Sequence, residues 1–168
     1  GWRLDVGDEI SHFFWKRFRK AVKAVKKDLL IIGEIWHYAG DFLEGDEWDT
    51  VMNYDAFMEP VTWFLTGMQK HSDDYREDLY GNADSFWGAM IHHSAAMTTP
   101  SLQIAMNELS NHDHSRFLTR TNHKVGRVSQ HGTKGAEEGV NLAVMREAVV
   151  MQMTCCLLYT SDAADEAR

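Results

Sequence analysis

An α/β fold with a parallel sheet is the class that this sequence predicts, and three observations predict it. Short apolar runs alternate with amphipathic stretches, which is the pattern of strands that alternate with helices. The most apolar run, at 29–32, contains no polar residue, as expected of a parallel strand buried on both faces. The 168 residues are 44% apolar and 25% charged, so the chain is able to bury a core.

The first predicted unit is a strand followed by a helix. Residues 2–6 form the strand, which ends in the acidic loop at 7–9. Ser11 is a candidate N-cap for a helix that extends to about Lys27. Apolar residues recur there at intervals of three and four and predict one packed face, made of Phe14, Trp15, Phe18, Val22 and Val25.

The next two predicted strands occupy residues 29–32 and 49–54. The first of them stops at Gly33-Glu34, where polar residues begin. Apolar residues from Phe57 to Met68 then mark an amphipathic helix, and Pro60 is tolerated in its first turn.

The second half of the chain has longer connections. Residues 71–99 form a polar and aromatic excursion with a predicted helix at 83–93. A fourth strand is predicted at 101–109 and ends before Asp113, and a loop at about 121–135 leads to a last helix from about 136 to 153.

Three of the four predicted strands end near a carboxylate, namely Asp5, Glu34 and Asp113. Because the carboxyl ends of parallel strands share one edge, residues distant in sequence can converge there. Each acid taken alone is compatible with a solvated loop residue or a helix cap. Three acids at equivalent positions favour a shared site.

Composition excludes several classes of function. The formal charge of −8 argues against a nucleic-acid partner, since such proteins usually carry a basic patch. The sequence has no run of eighteen apolar residues, which predicts no membrane span. Cys155 and Cys156 are adjacent, so they form neither a disulfide framework nor the spaced pairs of a zinc site.

Three segments carry a resemblance to the α-amylase superfamily, family 13 of the glycoside hydrolases, and especially to its neopullulanase, cyclomaltodextrinase and maltogenic amylase group. GWRLDVGDE at 1–9 resembles the family's nucleophile strand, and GEIWH at 33–37 resembles its acid/base strand. SNHDHSRF at 110–117 resembles its late His-Asp strand. The segments occur in the family's order, and the resemblance extends from Gly1 to about Thr154.

The resemblance implies retaining cleavage of glycosidic bonds, which needs two carboxyl groups about 5 Å apart. It makes Asp5 the nucleophile and Glu34 the general acid and base. Arg3, on the same side of the strand as Asp5, is expected to favour the ionised Asp5 carboxylate. Apolar neighbours such as Trp36 are expected to favour the proton on Glu34.

The resemblance also implies a set of sugar-binding residues. Asp113 matches the family acid that holds sugar hydroxyls in the transition state, and His112 matches a histidine that hydrogen-bonds the same sugar. Glu9 falls where the neopullulanase group commonly has the second residue of Asn-Glu, although this chain has Asp8 in place of Asn. Trp36 and His37 are candidates to line the cleft, with core packing as the equal alternative for Trp36.

Two further interpretations remain open. Residues 112–114, His-Asp-His, could bind a metal ion in a metal-dependent hydrolase, and the whole chain could be a non-catalytic carbohydrate-binding relative. The acid pattern favours the enzyme and no metal. The resemblance implies an α-glucan oligosaccharide or polysaccharide substrate, no cofactor, no nucleic acid and no membrane partner. Calcium and a homodimer are features of relatives that no residue here indicates, and the resemblance slightly favours the cytoplasm.

The four predicted strands correspond to strands four to seven of a (β/α)8 TIM barrel, which takes about 250 residues. The sequence is therefore predicted to be a fragment, with residues 1–155 forming part of the catalytic barrel. Written backwards into codons as TGT CTC TTA TAC ACA TCT GAC GCT GCC GAC, residues 156–165 match a transposon-end sequencing adapter. Residues 156–168 are thus predicted to be a non-native translated tail, with an ordinary polar C-terminus as the alternative.

Overall fold

The computed structural model describes the backbone of residues 1–160 and the side chains of residues 1–155. Three short parallel strands form a sheet in the order β1, β2, β3. The parallel sheet confirms the predicted α/β class. Their bounds are Trp2–Leu4 for β1, Ile31–Gly33 for β2 and Thr50–Val51 for β3.

Seven α-helices accompany the sheet within the described residues. Short 3-10 helices at Gly7–Glu9 and Gly40–Phe42 follow β1 and β2, and a π-helix at Tyr54–Met58 precedes the second α-helix. The α-helices are α1 (His12–Val25), α2 (Glu59–Thr66), α3 (Ala83–Ser94), α4 (Thr99–Gln103), α5 (Phe117–Arg120), α6 (Val128–Glu137) and α7 (Leu142–Thr160). No helix within residues 1–160 is both long and apolar enough to cross a membrane.

Helix α1 packs against the sheet through Trp15, Phe18 and Val22, whereas Phe14 and Val25 of the predicted packed face are exposed. Trp15 is buried, and its indole N–H donates to the Gly7 carbonyl at 2.8 Å. Arg19 and Lys23 each lie 2.7 Å from the Asp49 carboxylate, which also accepts a hydrogen bond from the Ile31 amide. These contacts fix α1 along β2. Ser11 occupies the N-cap, but its side chain makes no capping hydrogen bond.

One apolar core lies between α1 and the sheet. The Phe42 and Trp48 rings stack with their centroids 4.1 Å apart. A Cβ atom at Gly33 would overlap the Trp48 ring, so the last residue of β2 has to be glycine for this packing to exist. The core therefore sets the position of the backbone just before Glu34.

A second apolar core lies beneath α2, α3 and α7. Arg120 is fully buried at its edge, where its guanidinium donates to the Thr62 hydroxyl and the Leu109 carbonyl. The buried apolar residues of this core are Phe57, Val61, Phe86, Met90, Leu109, Phe117 and Ala148.

The predicted fourth strand at 101–109 is wrong. Residues Thr99–Gln103 form α4, because Pro100 sits in the first turn of a helix, a position that its fixed φ favours. Met106 alone makes a parallel bridge, to Met52. The Met106 amide donates to the Val51 carbonyl at 3.0 Å, so this segment reaches the end of β3 without extending the sheet as a strand.

Other boundaries also differ from the prediction. β1 ends at Leu4 and not at residue 6, and β2 occupies Ile31–Gly33 and not 29–32. The strand predicted at 49–54 is shorter, because Tyr54 begins the π-helix. The last predicted helix, at 136–153, is two helices: α6 begins inside the predicted loop, and α7 follows a turn in which Gly139 adopts a φ of 75°. Of the predicted non-native tail, residues 161–168 lie outside the described residues.

Candidate active site

A cleft of about 400 Å³ lies at the carboxyl ends of β1 and β2, and all three predicted catalytic acids line it. Arg3 contacts two of these acids from outside the lining, whereas Glu9 is exposed and does not line the cleft. A second pocket of about 530 Å³ shares Ile35 and His37 with the cleft but contains none of the predicted acids. The cleft is lined by Asp5, Val6, Asp8, Glu34, Ile35, Trp36, His37, His112 and Asp113.

The backbone ladder between β1 and β2 places Asp5 and Glu34 side by side. Leu4 pairs with Gly33 in parallel register, so the next residue of each strand leaves the sheet at the same edge. The Glu34 amide donates to the Leu4 carbonyl at 2.9 Å, and the Gly7 amide donates to the Glu34 carbonyl at 3.0 Å. Main-chain hydrogen bonds therefore fix both acids.

Arg3 joins the two carboxylates. One terminal nitrogen of its guanidinium donates to Asp5, and the other lies 2.8 Å from Glu34 Oε2. The hydrogen bond and the positive charge of Arg3 lower the pKa of Asp5, although the Asp5 side chain is 72% exposed. This contact is the one expected if Arg3 favours the ionised form of Asp5.

The Glu34 carboxyl group is 4% exposed and has polar neighbours. Its Oε2 accepts a hydrogen bond from the Val6 amide at 3.1 Å, and Tyr54 donates its hydroxyl hydrogen to Oε1 at 3.4 Å. Val6 has a φ of 44°, a left-handed conformation that is costly for a β-branched residue and that turns its N–H toward Glu34. The prediction that apolar neighbours such as Trp36 keep the proton on Glu34 stays a prediction.

A loop cross-linked by Asn111 positions Asp113. The Asn111 side-chain oxygen accepts hydrogen bonds from the Asp113 amide at 3.0 Å and from His114 Nδ1 at 2.6 Å. Its side-chain nitrogen donates to the Tyr54 hydroxyl at 2.7 Å and to the Glu108 carboxyl at 3.2 Å. The third predicted acid is thus held chiefly by the side chain of Asn111 and not by a strand, and Ser115 ties the loop to the main chain of Lys70 and His71.

His112 and His37 each pair with an acid of the cleft. His112 Nε2 lies 3.4 Å from the Asp113 carboxylate, and His37 Nε2 lies 2.9 Å from the Asp8 carboxylate. Both imidazole rings line the cleft, so the structure brings them to the predicted site.

Trp36 is a partly exposed platform at the wall of the cleft. Its ring lies 5.4 Å from the His114 ring and 5.7 Å from the His71 ring, and the Lys70 ammonium group lies 5.1 Å from its centroid. The residue nevertheless stays 43% exposed. Trp36 therefore both packs against neighbouring rings and lines the cleft.

The sequence of the chain matches the model of the α-amylase catalytic domain over residues 1–145. The chain belongs to the α-amylase family. It is 37% identical to Neopullulanase 2 from Thermoactinomyces vulgaris over 165 residues, which is 96% of the chain and 23% of that protein. It is also 40% identical to the cyclomaltodextrinase of Geobacillus thermopakistaniensis over 119 residues, covering 71% of the chain and 18% of that protein.

The chain is also similar to a solved structure. The cyclic α-maltosyl-(1→6)-maltose hydrolase from Arthrobacter globiformis, in complex with cyclic α-maltosyl-(1→6)-maltose, superposes with a TM-score of 0.61 at 32% identity. The match covers 72% of the chain and 25% of that structure. The chain thus spans a quarter or less of the length of each of these three proteins.

Three polar residues at this α-amylase family site escaped the sequence interpretation: Tyr54, Glu108 and Asn111. The sequence predicts strands over Tyr54 and Glu108, and the motif that contains Asn111 predicts no separate role for it. Burial raises the pKa of Glu108 to about 7. The available signal is a carboxylate inside a segment predicted to be a strand, because glutamate is rarely fully buried unless paired.

Among the described side chains, no three His, Cys, Asp or Glu groups lie close enough together to hold a metal ion. His114 is buried and engages Asn111 through Nδ1, whereas His112 lies on the cleft.

Proposed function

We propose that this chain is part of a retaining α-glucan hydrolase or transglycosidase. The observation that carries the proposal is the convergence of Asp5, Glu34 and Asp113 on one cleft, with Arg3 in contact with two of them. The names of its relatives, which include a neopullulanase and a cyclomaltodextrinase, support substrates of the maltodextrin, cyclodextrin, pullulan or starch type. The bonds cleaved are α-1,4 glucosidic bonds, with α-1,6 bonds as a further candidate.

In the proposed mechanism, the Asp5 carboxylate attacks the anomeric carbon while Glu34 gives its proton to the departing glycosidic oxygen. A covalent glycosyl ester on Asp5 results. Glu34, now ionised, takes a proton from water, which attacks the same carbon and releases the sugar with its original anomeric configuration. A second sugar in place of water gives transfer. Arg3 keeps Asp5 ionised before the attack.

The remaining cleft residues bind and orient the sugar. Asp113 and His112 lie on the cleft as a pair and accept and donate hydrogen bonds to sugar hydroxyl groups. The exposed part of Trp36 offers an apolar face on which a sugar ring packs. His37 and Glu9 belong to the proposed acceptor side, where the structure shows His37 and Asp8 as a pair.

The described sheet is proposed to be strands four to six of a partial (β/α)8 barrel, with the Met106 segment in the place of strand seven. Within the described residues β1 pairs with β2 alone, so the outer edge of β1 is open. Trp2 on this strand is exposed, and so are Phe13 and Phe14 of α1. Further strands of the same barrel would cover this surface, and we expect the fragment alone to be inactive.

The test compares Asp5→Asn and Glu34→Gln with Asp28→Asn in the full-length protein. Asp28 is a matched control, because its side chain is 71% exposed, like that of Asp5, and it also pairs with a cation, Lys26. We expect kcat on maltooligosaccharides to fall at least about a thousandfold for Asp5→Asn, because the nucleophile is lost, and to be unchanged for Asp28→Asn.

Proton NMR of the first products gives the second part of the test. A retaining enzyme releases the α-anomer first, and inversion would contradict the assignment of Asp5 as nucleophile. Turnover that survives in Asp5→Asn would also contradict it. A wild-type protein that binds maltodextrin without cleaving it would favour the non-catalytic alternative.

A further inference from the structure

We propose that Glu108 is a positioning residue that controls, through the Tyr54 hydroxyl group, how the Glu34 carboxyl is held. The inference rests on the proposed role of Glu34 as acid and base. It assigns a function to a buried carboxyl group that neither the mechanism nor the motifs use.

The three groups form one connected network. Glu108 is 7% exposed, and Tyr54 is buried with its hydroxyl 3.4 Å from Glu34 Oε1. The Asn111 side-chain nitrogen lies 2.7 Å from that hydroxyl and 3.2 Å from Glu108 Oε1. One amide group therefore holds the tyrosine and the buried acid next to each other, directly behind Glu34.

Counting hydrogens shows why this network has two states. A tyrosine hydroxyl carries a single hydrogen, and at Tyr54 the amide of Asn111 already occupies a lone pair of the oxygen. Two strong acceptors compete for this hydrogen, Glu34 and Glu108, whereas the Met52 thioether sulfur at 3.7 Å is a weak acceptor. Burial raises the pKa of the Tyr54 hydroxyl most, and the negative charges of Glu108 and Glu34 raise it further. The hydroxyl therefore keeps its hydrogen.

The protonation of Glu108 decides between the two states. Desolvation raises the pKa of Glu108 to about 7, and the negative charge of Glu34 acts in the same direction. The positive charge of Arg3 and the hydrogen bonds from Asn111 and Tyr54 lower this pKa. Protonated Glu108 leaves the Tyr54 hydrogen to Glu34, whereas ionised Glu108 competes for it.

The orientation of Glu34 depends on this choice. Its Oε2 is held by Arg3 and by the Val6 amide, and Tyr54 is the donor that the structure shows at Oε1. When Tyr54 donates to Glu34, both oxygens are fixed and the carboxyl plane cannot rotate. When Tyr54 donates to Glu108, Oε1 loses that donor, and proton delivery to the leaving oxygen becomes less well aligned.

The test uses Tyr54→Phe, Glu108→Gln and the double variant in the full-length enzyme, with two substrates. Maltooligosaccharide needs a proton on its leaving oxygen, whereas 2,4-dinitrophenyl α-maltoside does not, because its leaving group departs as a stable anion. We expect Tyr54→Phe to lower kcat/KM about tenfold on the oligosaccharide, mainly through kcat, and to change it little on the aryl substrate.

The pH profile separates positioning from a structural role. Glutamine is uncharged like protonated glutamic acid, so Glu108→Gln should keep the activity at low pH. On the oligosaccharide, the alkaline limb of its kcat/KM profile should move to higher pH. In the Tyr54→Phe background the same substitution should leave the limb unchanged, because Glu108 acts through the hydroxyl. An alkaline limb that Glu108→Gln does not move, or moves equally in both backgrounds, would overturn the proposal.

Glu34→Gln serves as the reference in the same assays. If it affects both substrates equally in kcat/KM, the proposed role of Glu34 fails. If it selectively affects the oligosaccharide while Tyr54→Phe and Glu108→Gln do not, only the positioning role of Glu108 fails. If Tyr54→Phe does not fold, the pH profile of Glu108→Gln alone still tests the proposal. An alkaline limb that stays at the wild-type pH in Glu108→Gln contradicts it.

Discussion

The acids of the candidate site are held in two different ways. Asp5 and Glu34 follow strands that are locked in parallel register, and their positions depend on main-chain hydrogen bonds. Asp113 follows a segment that makes one bridge to the sheet, and its position depends on the side chain of Asn111. The site therefore has a part held by the backbone and a part held by a side chain.

This difference teaches where substitutions can act. In the backbone-held part, a single side-chain deletion cannot remove the ladder between Leu4 and Glu34, so disturbance has to come from the packing beneath it. In the side-chain-held part, one substitution removes several hydrogen bonds together. The four predictions below test this contrast, from the largest expected effect to the smallest.

The largest effect is expected from Asp113→Asn in the full-length enzyme. If the loop places this acid in the same site as Asp5 and Glu34, losing its charge weakens the contacts to the sugar in the transition state. We expect kcat/KM on maltooligosaccharides to fall about a hundred- to a thousandfold, measured by steady-state kinetics. A loss below threefold would mean that the loop-held acid does not belong to the site.

Asn111→Ala should give the next largest effect. It removes the hydrogen bonds to the Asp113 amide, His114, Tyr54 and Glu108, and we expect kcat to fall about ten- to a hundredfold through misplacement of Asp113. Asn82→Ala is the matched control, since it removes a side-chain cap at the start of α3. The control should cost about 1 kcal/mol in the free energy of unfolding and leave kcat unchanged. Equal kcat losses in both variants would refute the assignment.

Gly33→Ala tests the backbone-held part. A methyl group at this position overlaps the Trp48 ring, and we expect the free energy of unfolding to fall by about 1–3 kcal/mol, with loss of activity as β2 shifts. Gly88→Ala, in α3, meets no atom within 4 Å and should be neutral or stabilising. Denaturant unfolding of both variants measures the difference, and equal stabilities would show that the packing does not constrain β2.

The smallest effect is expected from Arg3→Lys, which keeps the charge but loses the planar fork that reaches both carboxylates. Because Arg3 lowers the pKa of Asp5, the substitution should raise that pKa, and the acid limb of kcat/KM should move to higher pH. Arg76→Lys, at a two-nitrogen pair with Asp78 outside the cleft, should leave the limb in place. A limb that moves to lower pH, or moves equally in both variants, would contradict the role of Arg3.

The same contrast explains what the sequence could predict. β1, β2 and α1 follow from local patterns: an apolar run without polar residues and a helical period of packed residues. The acids at the ends of these strands were therefore placed correctly by position alone. Their meeting in one cleft followed from the rule that parallel strands share an edge.

The structure of the second half of the chain is harder to predict from the sequence, because tertiary contacts there override the local pattern. Residues 101–109 alternate like a strand, yet Pro100 starts a helix and Met106 makes a single bridge. The roles of Tyr54 and Asn111 arise from a contact between residues 57 apart in sequence, which no local period encodes, and Glu108 joins it through Asn111. The strain at Val6 is equally invisible in sequence, since valine ordinarily avoids that conformation.

The central claim is that Asp5 is the nucleophile of this site, and trapping the covalent intermediate tests it most directly. Full-length Glu34→Gln would be incubated with α-maltosyl fluoride, whose leaving group needs no acid, and digested for peptide mass spectrometry. Because the missing base slows attack by water, the account predicts a maltosyl ester on the peptide at Asp5, and none in the Asp5→Asn double variant. Fluoride release without an adduct at Asp5, or an adduct on Asp113, would contradict it.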